Sequence, residues 1–200
     1  MAHLRPLKND EIKDDFILER FEHYQATRGF TPNSIRTMAH RPNVAKAFMA
    51  LNQAVLYEGD VSEELKMLIS LACSYAAGCL YCQSHMANLS HLHNASDKKI
   101  TAILDYETSD QFTNAERAAL DLTFKAAQMP NAVTQAEFDA LSEYFNDKQI
   151  VEIVSSIALF GYLNRWNDTM ATALEPLPNQ RAERLLGSQG WSPGKHGDNI

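Results

Sequence analysis

Three features of the chain predict an all-α fold. Apolar residues recur at helical spacing nearly throughout, no run of alternating β-branched residues is present, and helix start and stop signals punctuate the sequence. Two hundred residues with 45% hydrophobic content suffice for one buried core, so a single-domain helical bundle over 1–200 is expected. Within it, 10–60 hold the N-terminal helices, 62–174 the core and 175–200 a C-terminal tail.

The first amphipathic helix is predicted from about Asp10 to Gln25 by Ile12, Phe16, Ile17, Phe21 and Tyr24. Arg28-Gly29 offers its left-handed stop. Thr31-Pro32 then reads as N-cap and first helical residue of a short helix, and Arg41-Pro42 opens a longer one through Leu56. From Ser62 to Ala77, Leu65, Leu68, Ile69, Ala72, Cys73 and Ala76 trace a buried stripe behind a serine cap. Cys73 falls on that stripe and reads as a small buried hydrophobe.

Gly78 stops this helix and Cys79 starts another, running to about His93. A short helix follows from Ser96 to Leu104. Thr113-Asn114-Ala115-Glu116 and Thr134-Gln135-Ala136-Glu137 both fit the capping box, which makes Glu116 and Glu137 caps rather than catalytic acids. From Asp147 to about Leu174 the chain is apolar on several faces, which predicts a central helix or an oligomer interface. Near its end, Asn164 and Arg165 are within reach of Asp168. The tail is rich in proline and glycine but carries Leu185, Leu186 and Trp191, so it is expected to pack on a neighbouring subunit.

Composition narrows the function classes. With 25 acidic against 18 basic side chains the formal charge is -7, which argues against nucleic acid as a partner. The run from Met1 to Asn9 is polar, and no later run approaches the ~20 apolar residues of a membrane span. A soluble, cytoplasmic protein is therefore expected. Three cysteines in such a chain do not make a secreted disulfide framework, and a Cys-x-x-Cys inside the cell points to redox or metal chemistry.

That motif is Cys79-Leu80-Tyr81-Cys82, with His85 one turn further on. At a helix start, unpaired backbone N–H groups and the helix dipole favour a thiolate. Residues at i and i+3 lie roughly 5–6 Å apart, inside the window for a disulfide, so a reversible dithiol is feasible. His85 shares the face of Cys82 and is placed to carry protons. Cys79, Cys82 and His85 are the candidate catalytic residues. Zinc is the competing chemistry, but a fourth ligand is missing because His91 and His93 lie on poorly matched faces. No metal and no cofactor are assigned.

The stretch from Leu65 to His85, with its small-residue run Ser74-Tyr75-Ala76-Ala77-Gly78 before the motif, resembles the carboxymuconolactone decarboxylase and alkyl hydroperoxidase D family. Phe160 through Asp168 and Gly190-Trp191-Ser192-Pro193-Gly194-Lys195-His196 resemble a longer, peroxidase-related subgroup. The resemblance implies an alkyl hydroperoxidase D-like bundle assembling as a homotrimer or homohexamer. It implies a peroxidase in which Cys82 meets a hydroperoxide, Cys79 resolves it, and an external thiol or dithiol reduces the disulfide. The helix dipole acts on Cys79 at least as strongly, which leaves the order of attack open. Two departures stand out: Met67 occupies the family's proton-relay glutamate position, and the histidine comes one residue early, with Met86 in its usual place. A lactone-acid decarboxylase working through histidine, and a non-enzymatic redox-sensing oligomer, are the alternatives.

Overall fold

A computed structural model describes residues 2–197, and among them the regular structure is helical throughout. Helix α1 (Asp15–Arg28) starts later than its periodicity predicts, because two carboxylates compete to cap the chain. Glu11 turns back on the Lys8 N–H at 2.8 Å and closes a separate 3-10 turn at Asn9–Glu11. Asp14 then accepts from the Ile17 N–H and opens α1. Gly29, at φ 80°, ends it in the left-handed conformation that a side chain would resist.

Helix α2 (Asn33–Met38) begins one residue later than predicted, with Pro32 as its N-cap, because the Thr31 hydroxyl donates to the Phe21 carbonyl instead. Helix α3 (Pro42–Leu56) has proline at its first position, as predicted. Ser62 caps α4 (Glu63–Ala76), contributing about 1 kcal/mol as such caps do. Helix α5 (Leu80–Leu92) follows Gly78 at φ 69° and takes Cys79 as its N-cap. After the short α6 (Asp97–Thr101), both predicted capping boxes form and open α7 (Asn114–Ala126) and α8 (Gln135–Ser142).

Of the two roles hydrophobicity offered the last long helix, central helix or oligomer interface, the central one falls to α4 instead. Helix α9 (Asp147–Met170) buries one face through Ile153, Ile157, Phe160 and Leu163, while Val151, Val154 and Tyr162 stay exposed. Its neighbour α4 is buried from Leu65 through Ser74 on every side, packed by α5, α7 and α9. The predicted stripe is therefore a fully enclosed helix. Even Lys66 lies inside it, its ammonium 2.7 Å from Glu152 and bonded to the Glu58 carbonyl. Glu152 also accepts the Asp60 and Val61 N–H groups, which ties the loop before α4 to α9. Removing one partner of such a buried pair costs roughly 3–5 kcal/mol.

Helix α10 (Pro176–Leu186) lies along α5. Leu185, Leu186 and Trp191, which the composition of the tail assigned to a neighbouring subunit, are buried within their own chain. Trp191 Nε1 donates to the Leu80 carbonyl at 3.3 Å, and the Leu174 N–H donates to the His196 carbonyl at 2.9 Å. The tail thus folds over the start of α5, where the two sulfurs sit.

Candidate active site

The α4–α5 corner fixes the sulfurs. Cys79 and Cys82 are 0% and 2% exposed, and both are free thiols one helical turn apart. The Cys82 thiol, and after it the Cys82 amide, favours charge on the Cys79 sulfur and holds the Cys79 pKa below its ordinary value despite burial. Burial, reinforced by that neighbouring negative sulfur, pushes Cys82 well up. Of the two sulfurs, Cys79 is therefore the one that gives up its proton more readily.

Geometry separates their tasks. A cavity of about 50 Å³ opens on Cys82 and His85, with Tyr81, Phe48, Phe160 and Asn167 among its walls, and Cys79 is not part of its lining. Asn167 of α9 donates its amide to Cys82 Sγ at 3.4 Å. The more acidic sulfur lies away from the cavity, and the less acidic one faces it.

His85 is buried on the same turn of α5 as Cys82, stacked on Tyr81 with centroids 4.2 Å apart and edge-on to Phe30 at 5.3 Å. Its Nε2 makes a 2.7 Å hydrogen bond to Glu175 Oε2. Glu175, the buried N-cap residue of α10, also accepts from the Tyr81 hydroxyl at 3.0 Å and from the Asn33 N–H at the start of α2. Three elements distant in sequence thus converge on one carboxylate. Burial and the adjacent Glu175 raise the Tyr81 pKa well above its ordinary value, which keeps its hydroxyl a donor.

All three predicted site residues fall in this region, but periodicity missed Glu175 and Asn167. Glu175 heads the stretch that reads as a proline- and glycine-rich tail, and its partners lie 142, 94 and 90 positions away. Asn167 sat in a polar run whose expected pairing does not form: Asp168 binds Lys195 at 2.8 Å, and Asn164 donates to the Cys73 carbonyl at 3.3 Å. Its i, i+3 spacing from Asn164 was the available signal. Met67 is fully buried and offers no proton relay, so the carboxylate beside the imidazole comes from Glu175. His91 and His93 are held by Asp97 at 2.9 Å and Glu63 at 2.7 Å.

The fold is that of an all-helical enzyme, and the paired sulfurs make thiol-based redox chemistry plausible for it. Residues 42–125 match the carboxymuconolactone decarboxylase family. The chain is 32% identical to the debrominase Bmp8, with a TM-score of 0.83 over 91% of this chain and 97% of that one. A cysteine-to-alanine variant of that debrominase, in complex with 2,3,4-tribromopyrrole, is 31% identical with a TM-score of 0.85, covering 92% and 98% of the two chains. A peroxidase-related protein with an alkylhydroperoxidase AhpD core, from Ralstonia eutropha JMP134, is 25% identical with a TM-score of 0.79, covering 88% of this chain and 94% of its own. No curated protein sequence matches the chain. The chain belongs to the carboxymuconolactone decarboxylase and AhpD-like, peroxidase-related family.

Proposed function

We propose that the protein reduces hydroperoxides with its two cysteines. The observation that carries this reading is the division of the pair, Cys82 facing the cavity and Cys79, the more acidic of the two, one turn away and outside its lining. Cys82 passes its proton to the Cys79 thiolate as it attacks the terminal peroxide oxygen. The O–O bond breaks, Cys82 becomes a sulfenic acid, and the departing alkoxide takes a proton from His85 to leave as an alcohol. Cys79 then attacks the Cys82 sulfur, loses its proton, and the hydroxyl leaves as water. The peroxide is reduced, the dithiol becomes a disulfide, and an external thiol or dithiol restores it. Glu175 and Tyr81 hold the imidazole in place throughout.

A second reading is favoured by the likeness to the debrominase. Cys82 would take the halogen of a small halogenated ring as a sulfenyl halide while His85 protonates the ring carbon. Cys79 would then expel halide and form the same disulfide. Peroxide consumption and bromide release from 2,3,4-tribromopyrrole, measured side by side with excess dithiol, decide between them. Turnover of the peroxide alone supports the first reading and of the bromopyrrole alone the second. Neither activity, or activity that survives Cys79→Ser with Cys82→Ser, removes both.

The assembly expectation rests on α9. Its exposed Val151, Val154 and Tyr162 lie near an open groove of about 1320 Å³, lined in part by Met129, Val154, Ala158 and Tyr162. A second copy of the chain would cover this apolar surface. Sedimentation of the protein and of Val154→Glu tests it, with dissociation of the variant expected.

A further inference from the structure

The cavity that exposes Cys82 carries one permanent charge, the guanidinium of Arg28. Arg28 is half-buried at the last position of α1, where its side chain is fixed by two tyrosines. It lies over the Tyr24 ring at 4.5 Å and over the Tyr57 ring at 5.8 Å, and donates to the Tyr57 hydroxyl at 2.7 Å. No carboxylate among the described residues pairs with it. The acid that influences Tyr57, Glu63, is engaged by His93. Arg20 reinforces the positive character, its guanidinium 5.5 Å over the other reaches of Tyr24 and bonded to Gln53 rather than to an acid.

An arginine held against two aromatic rings, with donors left over and no carboxylate partner, presents a fork suited to a carboxylate. A second observation points the same way. Asn52, 8% exposed, lines the cavity, and its side-chain amide has no hydrogen-bond partner among the described residues. That amide stands open to the cavity, with donors and an acceptor free for a ligand that enters. The remaining wall between Arg28 and Cys82 is apolar, built in part by Phe48, Leu56, Met86 and Phe160.

We infer that the cavity selects a compact organic anion, whose carboxylate or equivalent oxyanion is held by Arg28 and Asn52 at the solvent side while its electrophilic atom faces Cys82. The inference deepens the reading above by naming the substrate class, and it rests on Cys82 as the reacting sulfur rather than on which bond that sulfur breaks.

Protection of Cys82 from iodoacetamide, followed by peptide mapping, tests it without turnover. Acetate and propionate, small enough for the cavity, are compared with acetamide and propionamide, which match them in shape and lack the charge. The acids should protect at concentrations about tenfold lower than the amides, as a charge-assisted hydrogen bond gives. Arg28→Met, which keeps the stem over Tyr24, should erase the difference, and Arg28→Lys should keep part of it. Unchanged thermal melting of both variants separates a lost charge from a lost fold. Equal protection by acids and amides, protection by neither, or an acid preference that survives Arg28→Met overturns the inference. Failure of peroxide turnover with the acid preference intact would instead remove the redox reading and leave the anion site standing.

Discussion

Cys73 and Cys82 begin with the same surroundings and end with opposite chemistry. Both are buried thiols, and each faces an asparagine amide from one face of α9: Asn164 at 3.7 Å from Cys73 Sγ, and Asn167 at 3.4 Å from Cys82 Sγ. Cys73, however, lies in the last turn of α4, where its thiol donates to the Ile157 carbonyl at 3.6 Å and burial pushes its pKa up to about 12. Cys82 lies in the first turn of α5, with a second sulfur beside it and a cavity before it. Burial and an amide donor are common to both, so neither makes a cysteine reactive. The differences are the helix end and the partner thiol that takes the proton, since Cys73 also borders an open space, the groove beside α9.

The comparison is broken most severely by Cys82→Ser. Turnover with excess dithiol should fall by at least about a thousandfold, since no remaining sulfur faces the cavity. Cys79→Ser should abolish steady turnover as completely while leaving a single stoichiometric reduction, read as a burst in a stopped-flow trace. A variant that turns over steadily without Cys79 would show that resolution comes from elsewhere.

Glu175→Gln should lower kcat on the order of a hundredfold, because the imidazole loses the acceptor that orients it. It should also cost about 1–3 kcal/mol of stability in a denaturant titration, because the Asn33 N–H and the Tyr81 hydroxyl share that carboxylate. Full activity with reduced stability would make Glu175 a structural clasp alone.

Charge at the pair gives a pH prediction with a definite sign. The S–H of Cys82 stabilises the Cys79 thiolate, so the ultraviolet thiolate absorbance of the reduced protein should rise at a pH below that of an ordinary cysteine. Cys82→Ala removes the donor and should move that inflection to higher pH. An inflection that stays in place would mean the helix start alone sets the Cys79 pKa. The smallest effect belongs to Cys73→Ala, which should leave turnover unchanged and cost about 1–2 kcal/mol of stability.

Local chemistry was legible in the sequence, and long-range convergence was not. Caps at Ser62, Thr113 and Thr134, the proline at the start of α3 and the glycine after α1 each act through neighbours within four residues, and each stands where spacing placed it. The motif and His85 follow at three-residue spacing along the start of α5 for the same reason. Glu175 reaches that turn only because α10 folds back along α5, and no periodicity within 80–92 or 176–186 encodes the meeting. The exchange of roles between α4 and α9 has a similar cause. The polar Ser70, Ser74 and Lys66 lower the apparent hydrophobicity of α4, yet the two serines donate to their own helix's carbonyls and Lys66 meets Glu152, so the helix can be enclosed. The run Leu159-Phe160 with Tyr162-Leu163 raises that of α9, although Tyr162 faces outward.

The central claim is that Cys82 acts first and Cys79 second. It is tested most directly by trapping the oxidised sulfur with a sulfenic-acid reagent in Cys79→Ser and in Cys82→Ser after a single equivalent of hydroperoxide, with the peptides mapped by mass spectrometry. A sulfenic acid on Cys82 in the first variant, and reduced Cys79 and Cys73 in the second, is the predicted result. A sulfenic acid on Cys79 in the second variant, with Cys82 untouched in the first, would contradict it and reverse the assignment of the two sulfurs.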